Sequence, residues 1–451
     1  MLPEIEFTPQ FARALRLMDS GTQSVFVTGK AGTGKSTLLR YFRAHTNKKA
    51  AVLAPTGVAA VNVGGETIHS FFRFGPAPSA RDLPKLGREK SRLYKEIDAL
   101  VIDEVSMARA DLLDCVDAFL RLNGREPEAP FGGVQLILIG DLYQLPPVVT
   151  KAEEPLFSAS YEGPYFFSAK AFEGLPLAFV ELEKVYRQSD PRFIDLLNAV
   201  RANTVTAADL AALNRRVGAE HDSRRLLPVS LVTTNAAADR VNEQRLAELP
   251  GREQGYAAKV TGEFSADSYP APKWLRLKPR AQVMLLNNDP AGRWVNGTMA
   301  EVAEVLKGRG GEPDSVLVRL ADCGLQEVRP HEWDLFHYEI GEPDGRLAAT
   351  TAGTFAQYPL KLAWGLTIHK SQGKTFDRLT LDLGDRAFAT GQTYVGLSRC
   401  VSLEGLSLAR PVRRGDLLVD RRVTAFMERM RRENPPEAAP REEAYEPGCD
   451  F

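Results

Sequence analysis

Cysteine is scarce: Cys115, Cys323, Cys400 and Cys449 are the only four in 451 residues, and no C-x-x-C pair occurs among them. That scatter argues against a zinc site and a disulfide framework, and it fits a reducing compartment. Net charge is nearly absent too. Lys and Arg number 57 against 58 Asp and Glu, a formal −1, so no global basic field advertises a polyanionic partner. A nucleic-acid ligand would have to be held in a local groove. No apolar run is long enough to cross a bilayer, and the opening MLPEIEFTPQ is acidic without an apolar stretch, unlike a signal or transit peptide. These absences point to a soluble, cytoplasmic protein with no membrane partner. The length suits two to four domains.

What is present is order. The short apolar runs SVFVTG, AAVLAPTG, DALVIDE and VQLILIGD end in small or acidic residues, and helix-like stretches such as STLLRYFRA and DLLDCVDAFLRL lie between them. Apolar strands alternating with helices predict an α/β fold with a parallel sheet covered on both faces. This first lobe is expected over residues 1–175. A second series opens with VSLVTTN and AAADRVNEQRLAEL, then breaks at about Gly251 into period-two strands such as QVMLLNND, MAEVAEVL and SVLVRLAD. The α/β pattern resumes after Gly345 with LKLAWGLTIHKSQG, RLTLDLG and GLSLAR. A second lobe is therefore expected over 176–250 and 346–432, split around a small all-β insertion at 251–345. Residues 74–96 are Pro-rich and then basic, and interrupt the first lobe. The end, 433–451, is Pro-rich and acidic and reads as a disordered tail, with a docking peptide as the alternative.

One echo crosses the two halves: TIHS begins at Thr67 and TIHK at Thr367. Some tripeptide is expected to recur by chance in a chain this long. The echo carries meaning only if both copies sit at matching places in two similar units.

GKAGTGKS, Gly29 to Ser36, matches G-x-x-x-x-G-K-[ST] between the strand SVFVT and the helix TLLRYF. Gly29, Gly32 and Gly34, with Thr33, let backbone amides curl around phosphates at a helix N-terminus. Lys35 can reach the β and γ phosphates, and Ser36 can ligate Mg²⁺. LVIDE ends a hydrophobic strand with Asp103, a Mg²⁺ ligand through water, and Glu104, which could polarise the attacking water. An isolated Asp-Glu pair is commonly a solvated turn; its place after a buried strand, downstream of a phosphate loop, favours catalysis. Gln144 leaves the strand LILIGD, where a neutral amide can donate to a γ-phosphate and accept from water. Taken alone, it could be a turn residue.

GKAGTGKS, APTGVAA, TIHSFF, VIDEVSM, PFGGVQLILIGDLYQLPPV, VYRQSD, LTIHKSQGKTFD and YVGLSR, in that order from Phe26 to Arg399, resemble superfamily-one DNA helicases of the RecD-like branch, most closely the Pif (petite integration frequency) family. The resemblance implies two RecA-like lobes in one chain, ATP and Mg²⁺ in the cleft between them, and single-stranded DNA lying across both. It implies that Gln10 reads adenine, that Thr37, Gly373 and Lys374 join the cofactor site, and that the second lobe contributes Arg187 and Arg399. An ordinary surface residue is the other reading of Gln10. Guanidinium groups suit a spread phosphoryl charge. Thr56, Gly57, Thr67 and His69 would line the first lobe's DNA track, and Thr234, Asn235, Thr367, His369 and Lys370 the second's, binding phosphates without reading sequence. Phe71 and Phe72 could stack on bases, but a buried helix is the stronger reading.

By the same resemblance the β insertion is Src-homology-3-like, and Lys85 to Lys95 is either a strand-separating wedge or a solvated loop. Movement is implied 5′-to-3′; a forked duplex, a G-quadruplex and an RNA-DNA hybrid stay open as alternative substrates. The chain looks like a minimal, monomeric motor core. A nucleic-acid-binding ATPase switch and a ring-forming remodeller are the alternatives.

Overall fold

The computed structural model describes residues 6–75, 78–151, 153–220, 228–262, 269–308, 313–320, 324–340 and 347–435. The tail expected at 433–451 lies outside them from residue 436 onward.

The first lobe is built on six strands: β1 (Ser24–Gly29), β2 (Ala50–Ala54), β3 (Glu66–Thr67), β4 (Ala99–Ile102), β5 (Gln135–Ile139) and β6 (Leu177–Leu182). All pair in parallel, in the order β3-β2-β4-β5-β1-β6. Because side chains alternate along a strand, β1, β2, β4, β5 and β6 each feed two cores. Val25 and Val27 pack with Val101, Ile137 and Ile139 on one face, beneath helices α1 (Pro9–Asp19) and α2 (Lys35–His45). Phe26 packs with Leu100, Ile102, Leu136 and Leu138 on the other. Both faces are therefore dry, as the uninterrupted apolar runs require. Helices α3 (Gly57–Val63), α4 (Ile68–Phe72), α5 (Arg88–Glu96) and α6 (Ala110–Asn123) complete the lobe's front half.

Residues 177–182, expected in the second lobe, form β6 inside the first, in register with β1 from Ser24↔Leu177 to Gly29↔Leu182. It follows 3₁₀ turns rather than a helix, so the strand-helix alternation did not reveal it. A second correction comes from the far end of the chain. The helix Arg421–Glu433, expected in the second lobe, buries Val423, Phe426, Met427 and Met430 in the first lobe's core. Arg431 pairs with Glu181 of β6 at 2.8 Å, and Asn434 Oδ1 accepts from Phe179 N at 3.1 Å.

The second lobe's sheet joins Gly365–Thr367, Val229–Val232, Leu379–Asp382 and Leu406–Leu408, all parallel and in that order. Between its first strand and the rest lies a β region. Five antiparallel strands run in the order Gly324–Val328, Ser315–Leu320, Met299–Leu306, Gln282–Leu285 and Leu360–Leu362 around a separate apolar core. A hairpin of His331–Ile340 and Leu347–Gln357 pairs with Lys259–Gly262 and reaches α3, α4 and α5 of the first lobe. The β region thus continues to Leu362, past the expected limit at 345. The expected limit falls between two strands, His331–Ile340 and Leu347–Gln357, that pair with one another.

Within 74–96, the described residues lean on the first lobe rather than standing clear of it. Asn123 accepts from Leu86 N at 2.7 Å and donates to Pro84 O at 3.1 Å, and the buried Tyr94 hydroxyl donates to Phe71 O at 2.7 Å. Phe71 and Phe72 are core residues, with Phe72 5.4 Å from the Phe119 ring.

Candidate functional site

A cleft of about 580 Å³ opens between the lobes. Ala31 to Thr37, Glu104 and Gln144 wall it on the first lobe; Gly373, Thr375 and Arg399 wall it on the second; Tyr186 and Arg187 come from the segment that crosses between them. The first wall follows from local sequence: β1 ends in a glycine-rich turn whose Gly34, in the left-handed region at φ 87°, caps α2. Gly32 is also left-handed, and a Cβ there would stand 2.5 Å from Arg187 Cβ. Tyr186 N donates to Gly32 O at 2.8 Å, which ties the crossing segment to this turn.

Lys35 is half-buried and donates to the carbonyls of Gly29 at 2.7 Å and Lys30 at 2.9 Å. Burial lowers its pKa, against the pull of Asp141 and Glu104. Burial also pushes Asp103 up to about 7, helped by the neighbouring Glu104, and holds the Glu104 carboxyl above its usual range despite Lys35 and Arg399. Glu104 occupies the left-handed region at φ 49°, a costly conformation for a residue with a side chain. Such strain is kept where a side chain must be aimed.

Arg399 is 1% exposed and donates to Val395 O at 3.1 Å, Ser398 Oγ at 2.9 Å and Lys374 O at 3.4 Å. Burial, with Arg187 nearby, pulls it down to about 9, so it stays a cation at pH 7. Arg187 donates to Ser398 O at 3.2 Å. It is carried by the crossing segment, not by the body of the second lobe as expected. Gln144 donates to Asp141 at 3.3 Å and accepts from Gln372 of the second lobe at 3.5 Å.

Not every expected residue meets the cleft. Gln10 donates to Glu183 at 3.2 Å, and the wall at that end is made by Phe11 and Glu6. Lys374 lies behind the wall, donating to Asn296 at 2.7 Å, while Thr375 faces the cleft. Sequence reasoning passed over a buried ion pair, Arg201 with Asp141 at 3.0 Å, and Tyr394, whose hydroxyl accepts from Ala31 N at 3.1 Å. An aspartate directly after a wholly buried strand was the available signal for the first; the second had none.

The residues present fit a nucleotide with its metal. The Lys35 ammonium, the loop and a helix N-terminus suit phosphates, the close approach at Gly32 leaves no room for a side chain, and Ser36 with Asp103 offers the hard oxygens that Mg²⁺ takes.

The candidate track residues repeat between lobes. Thr56 caps α3, its hydroxyl accepting from Ala59 N at 3.3 Å, and Thr67 caps α4, accepting from Ser70 N at 3.1 Å. Thr234 caps Asn235–Glu248, accepting from Ala237 N at 3.2 Å, and Thr367 accepts from Lys370 N at 3.2 Å. In the first lobe Ala54 is level with Thr67, and Thr56 lies two residues beyond. In the second Val232 is level with Thr367, and Thr234 lies two residues beyond. TIHS and TIHK thus occupy the same register in two similar sheets, which chance recurrence would not produce. Gly57, Asn235 and Lys370 sit in the turns these threonines cap. Burial keeps the His69 and His369 imidazoles below their ordinary pKa, hence neutral at pH 7.

Comparison with known proteins adds relatives. The PIF1-like helicase family model matches residues 12–210. The chain is 37% identical over 414 residues to the human ATP-dependent DNA helicase PIF1, covering 89% of this chain but 60% of that protein. It is 36% identical to the ATP-dependent DNA helicase Pif1 of Bdellovibrio bacteriovorus, covering 90% of this chain and 88% of the relative. Among solved structures, Bacteroides sp Pif1 in complex with ADP-AlF4 superposes with a TM-score of 0.86 at 33% identity, over 95% of this chain and 98% of that one.

Proposed function

This chain belongs to the PIF1-like helicase family, and from that premise we propose that it is an ATP-dependent DNA helicase that moves along single-stranded DNA and separates duplex at forks. The observation that carries this reading is the cleft with walls from both lobes: Lys35 and Glu104 face Arg399 across it. Hydrolysis in such a cleft depends on how the lobes sit, so a strand that spans both lobes can be moved by their closure.

In this reading Gly29, Gly32, Thr33, Gly34 and Thr37 shape the phosphate cradle and Lys35 neutralises it, while Gln10, next to the Phe11 wall, meets the base. Ser36 and Asp103 would hold Mg²⁺, which when bound offsets phosphate charge. Glu104, its carboxyl raised by burial, takes the proton of the attacking water. Gln144 orients that water and, through Gln372, reports to the second lobe. Arg187 and Arg399 stabilise charge that develops on the transferred phosphoryl, and Gly373 closes the wall beside them. The capping threonines, with Gly57, His69, Asn235, His369 and Lys370, grip the strand backbone without regard to sequence. Polarity is 5′-to-3′, the motor acts as a monomer, and structured DNA such as G-quadruplexes and RNA-DNA hybrids are further substrates.

Steady-state ATP hydrolysis with and without a single-stranded oligonucleotide, using Lys35→Ala as the blank, tests the reading, followed by displacement of tailed duplexes. Stimulation by single strands and displacement only from a 5′ tail are expected. Hydrolysis indifferent to nucleic acid would overturn it, and stimulation without displacement would favour an ATPase switch.

A further inference from the structure

The loop 286–298 belongs to the β region yet ends against both lobes. Its own polar groups fix its shape: Trp294 Nε1 donates to Asn287 at 3.0 Å, Arg293 pairs with Asp289 at 2.6 Å, and Asn296 N donates to Asn288 at 2.8 Å. Val295 N donates to Thr298 Oγ1 at 3.2 Å. This scaffold holds one amide in place. Asn296 Nδ2 donates to Asn62 Oδ1, near the end of α3, at 3.3 Å, and Asn296 Oδ1 accepts from Lys374 Nζ at 2.7 Å. The Lys374 carbonyl in turn accepts from Arg399 Nη1 at 3.4 Å, and its neighbours Gly373 and Thr375 wall the cleft. At its other end α3 begins at Thr56 and Gly57, the proposed strand grip. One side chain therefore bridges the gripping helix of one lobe and the cleft wall of the other. A side-chain amide, which both donates and accepts, can do this; alanine at 296 loses both partners, whereas alanine at 62 breaks the link between lobes and leaves Lys374 seated on Asn296.

We propose that Asn296 is a positioning residue that couples strand contact at α3 to the nucleotide cleft through Lys374 and Arg399. The proposal rests on the reading of the protein as a strand-stimulated ATPase. Coupling between two binding sites is reciprocal, so it is measurable from either side.

The test uses the full chain with Asn296→Ala, Asn62→Ala and the Asn62→Ala/Asn296→Ala pair. A fluorescent oligothymidine reports single-strand affinity with and without a non-hydrolysable ATP analogue, and ATP hydrolysis is followed with and without strand. Unstimulated hydrolysis should be unchanged in every variant. The analogue's effect on strand affinity and the strand-stimulated kcat should each shrink about fivefold, the scale of one net hydrogen bond. The double variant should be no worse than either single one, because both break the same link. Asn62→Ala is the discriminating case, because it leaves Lys374 on Asn296: if it behaves like the unaltered chain, the amide merely seats Lys374 and the coupling is refuted. Full stimulation in Asn296→Ala refutes it as well. An unaltered chain that ignores single strands instead removes the functional reading on which the proposal stands.

Discussion

Truncating Phe426 to alanine should damage the first lobe, although the residue lies almost 250 positions beyond its last strand. Phe426 is 6% exposed in that lobe's core. Its ring stacks on Phe167 at 4.2 Å and meets Phe166 edge-on at 5.8 Å and Phe26 of β1, tilted, at 6.1 Å. Removing a buried phenyl group and leaving its cavity costs about 3–5 kcal/mol. In a lobe of this size each kcal/mol shifts the melting temperature by about 2–4 °C, so a fall of about 6–20 °C is expected. Differential scanning calorimetry measures it, and nucleotide protection tells which lobe melts. The transition protected by ATP should be the one that falls, because β1 leads directly into the turn proposed to hold the phosphates. As a control, Phe388→Ala removes a ring that is 60% exposed and should leave that transition within about 1 °C. A shift under about 3 °C for Phe426→Ala, or a shift confined to a transition that nucleotide does not protect, would refute the placement of this helix in the first lobe's core.

Two further outcomes are expected. Arg201→Met should destabilise by about 3–5 kcal/mol, because Asp141, with no exposed surface, loses its partner in the low-dielectric cleft; adding Asp141→Asn should recover most of the thermal midpoint, whereas additive losses would deny the pairing. Lys361 is pulled down to about 7 by burial and by Lys374 and Lys370. A lysine depressed in the folded state costs stability fully below that folded pKa, and the cost fades as pH rises towards its unfolded value near 10.5. Lys361→Met should therefore raise the melting temperature at pH 6.5, by an amount that shrinks at pH 9.5; an equal gain at both would refute the buried charge.

The features legible in sequence were those whose cause is local. A wholly buried parallel strand must be an apolar run, so β1, β2, β4 and β5 were visible as SVFVTG, AAVLA, ALVI and QLILI. The turn that caps α2 holds its glycines at fixed spacing beside a lysine, so the conformation around Lys35 was visible as well. The relations that failed to show were those set by partners distant in the chain. Arg421–Glu433 has an apolar stripe whose pattern says that it packs on something, not on which lobe. The limit expected at 345 was drawn on composition, and only the pairing of Ile340 with Leu347 shows that the flanking strands belong together. Arg201 and Asp141 are sixty residues apart, and no spacing rule joins them. The TIHS and TIHK echo lay between these cases: visible as a string, but meaningful only once register put both threonines beside the same kind of neighbour.

These long-range relations also constrain how the lobes can move. The chain leaves the first lobe after β6 and returns to it at Arg421, so the second lobe is held by two covalent crossings. A body tied at two points can rotate about the line joining them far more easily than it can slide. Around the cleft the two lobes also touch through non-covalent contacts. Gly391, in the left-handed region at φ 71°, lies against the carbonyls of Tyr143 and Gln144; Arg201 meets Asp141; Gln188, on the outgoing crossing, donates to Ser398 O at 3.1 Å and Cys400 O at 3.0 Å. A side chain at position 391 would push into the very strand exit that carries Gln144. A rotation that altered how Arg399 faces Glu104 would have to pivot on these contacts, and the link from Asn296 to Asn62 would be displaced with it. The polar groups that set the nucleotide cleft are thus bound to the same rotation as the helix that carries Thr56, so closing one without disturbing the other would require breaking named hydrogen bonds.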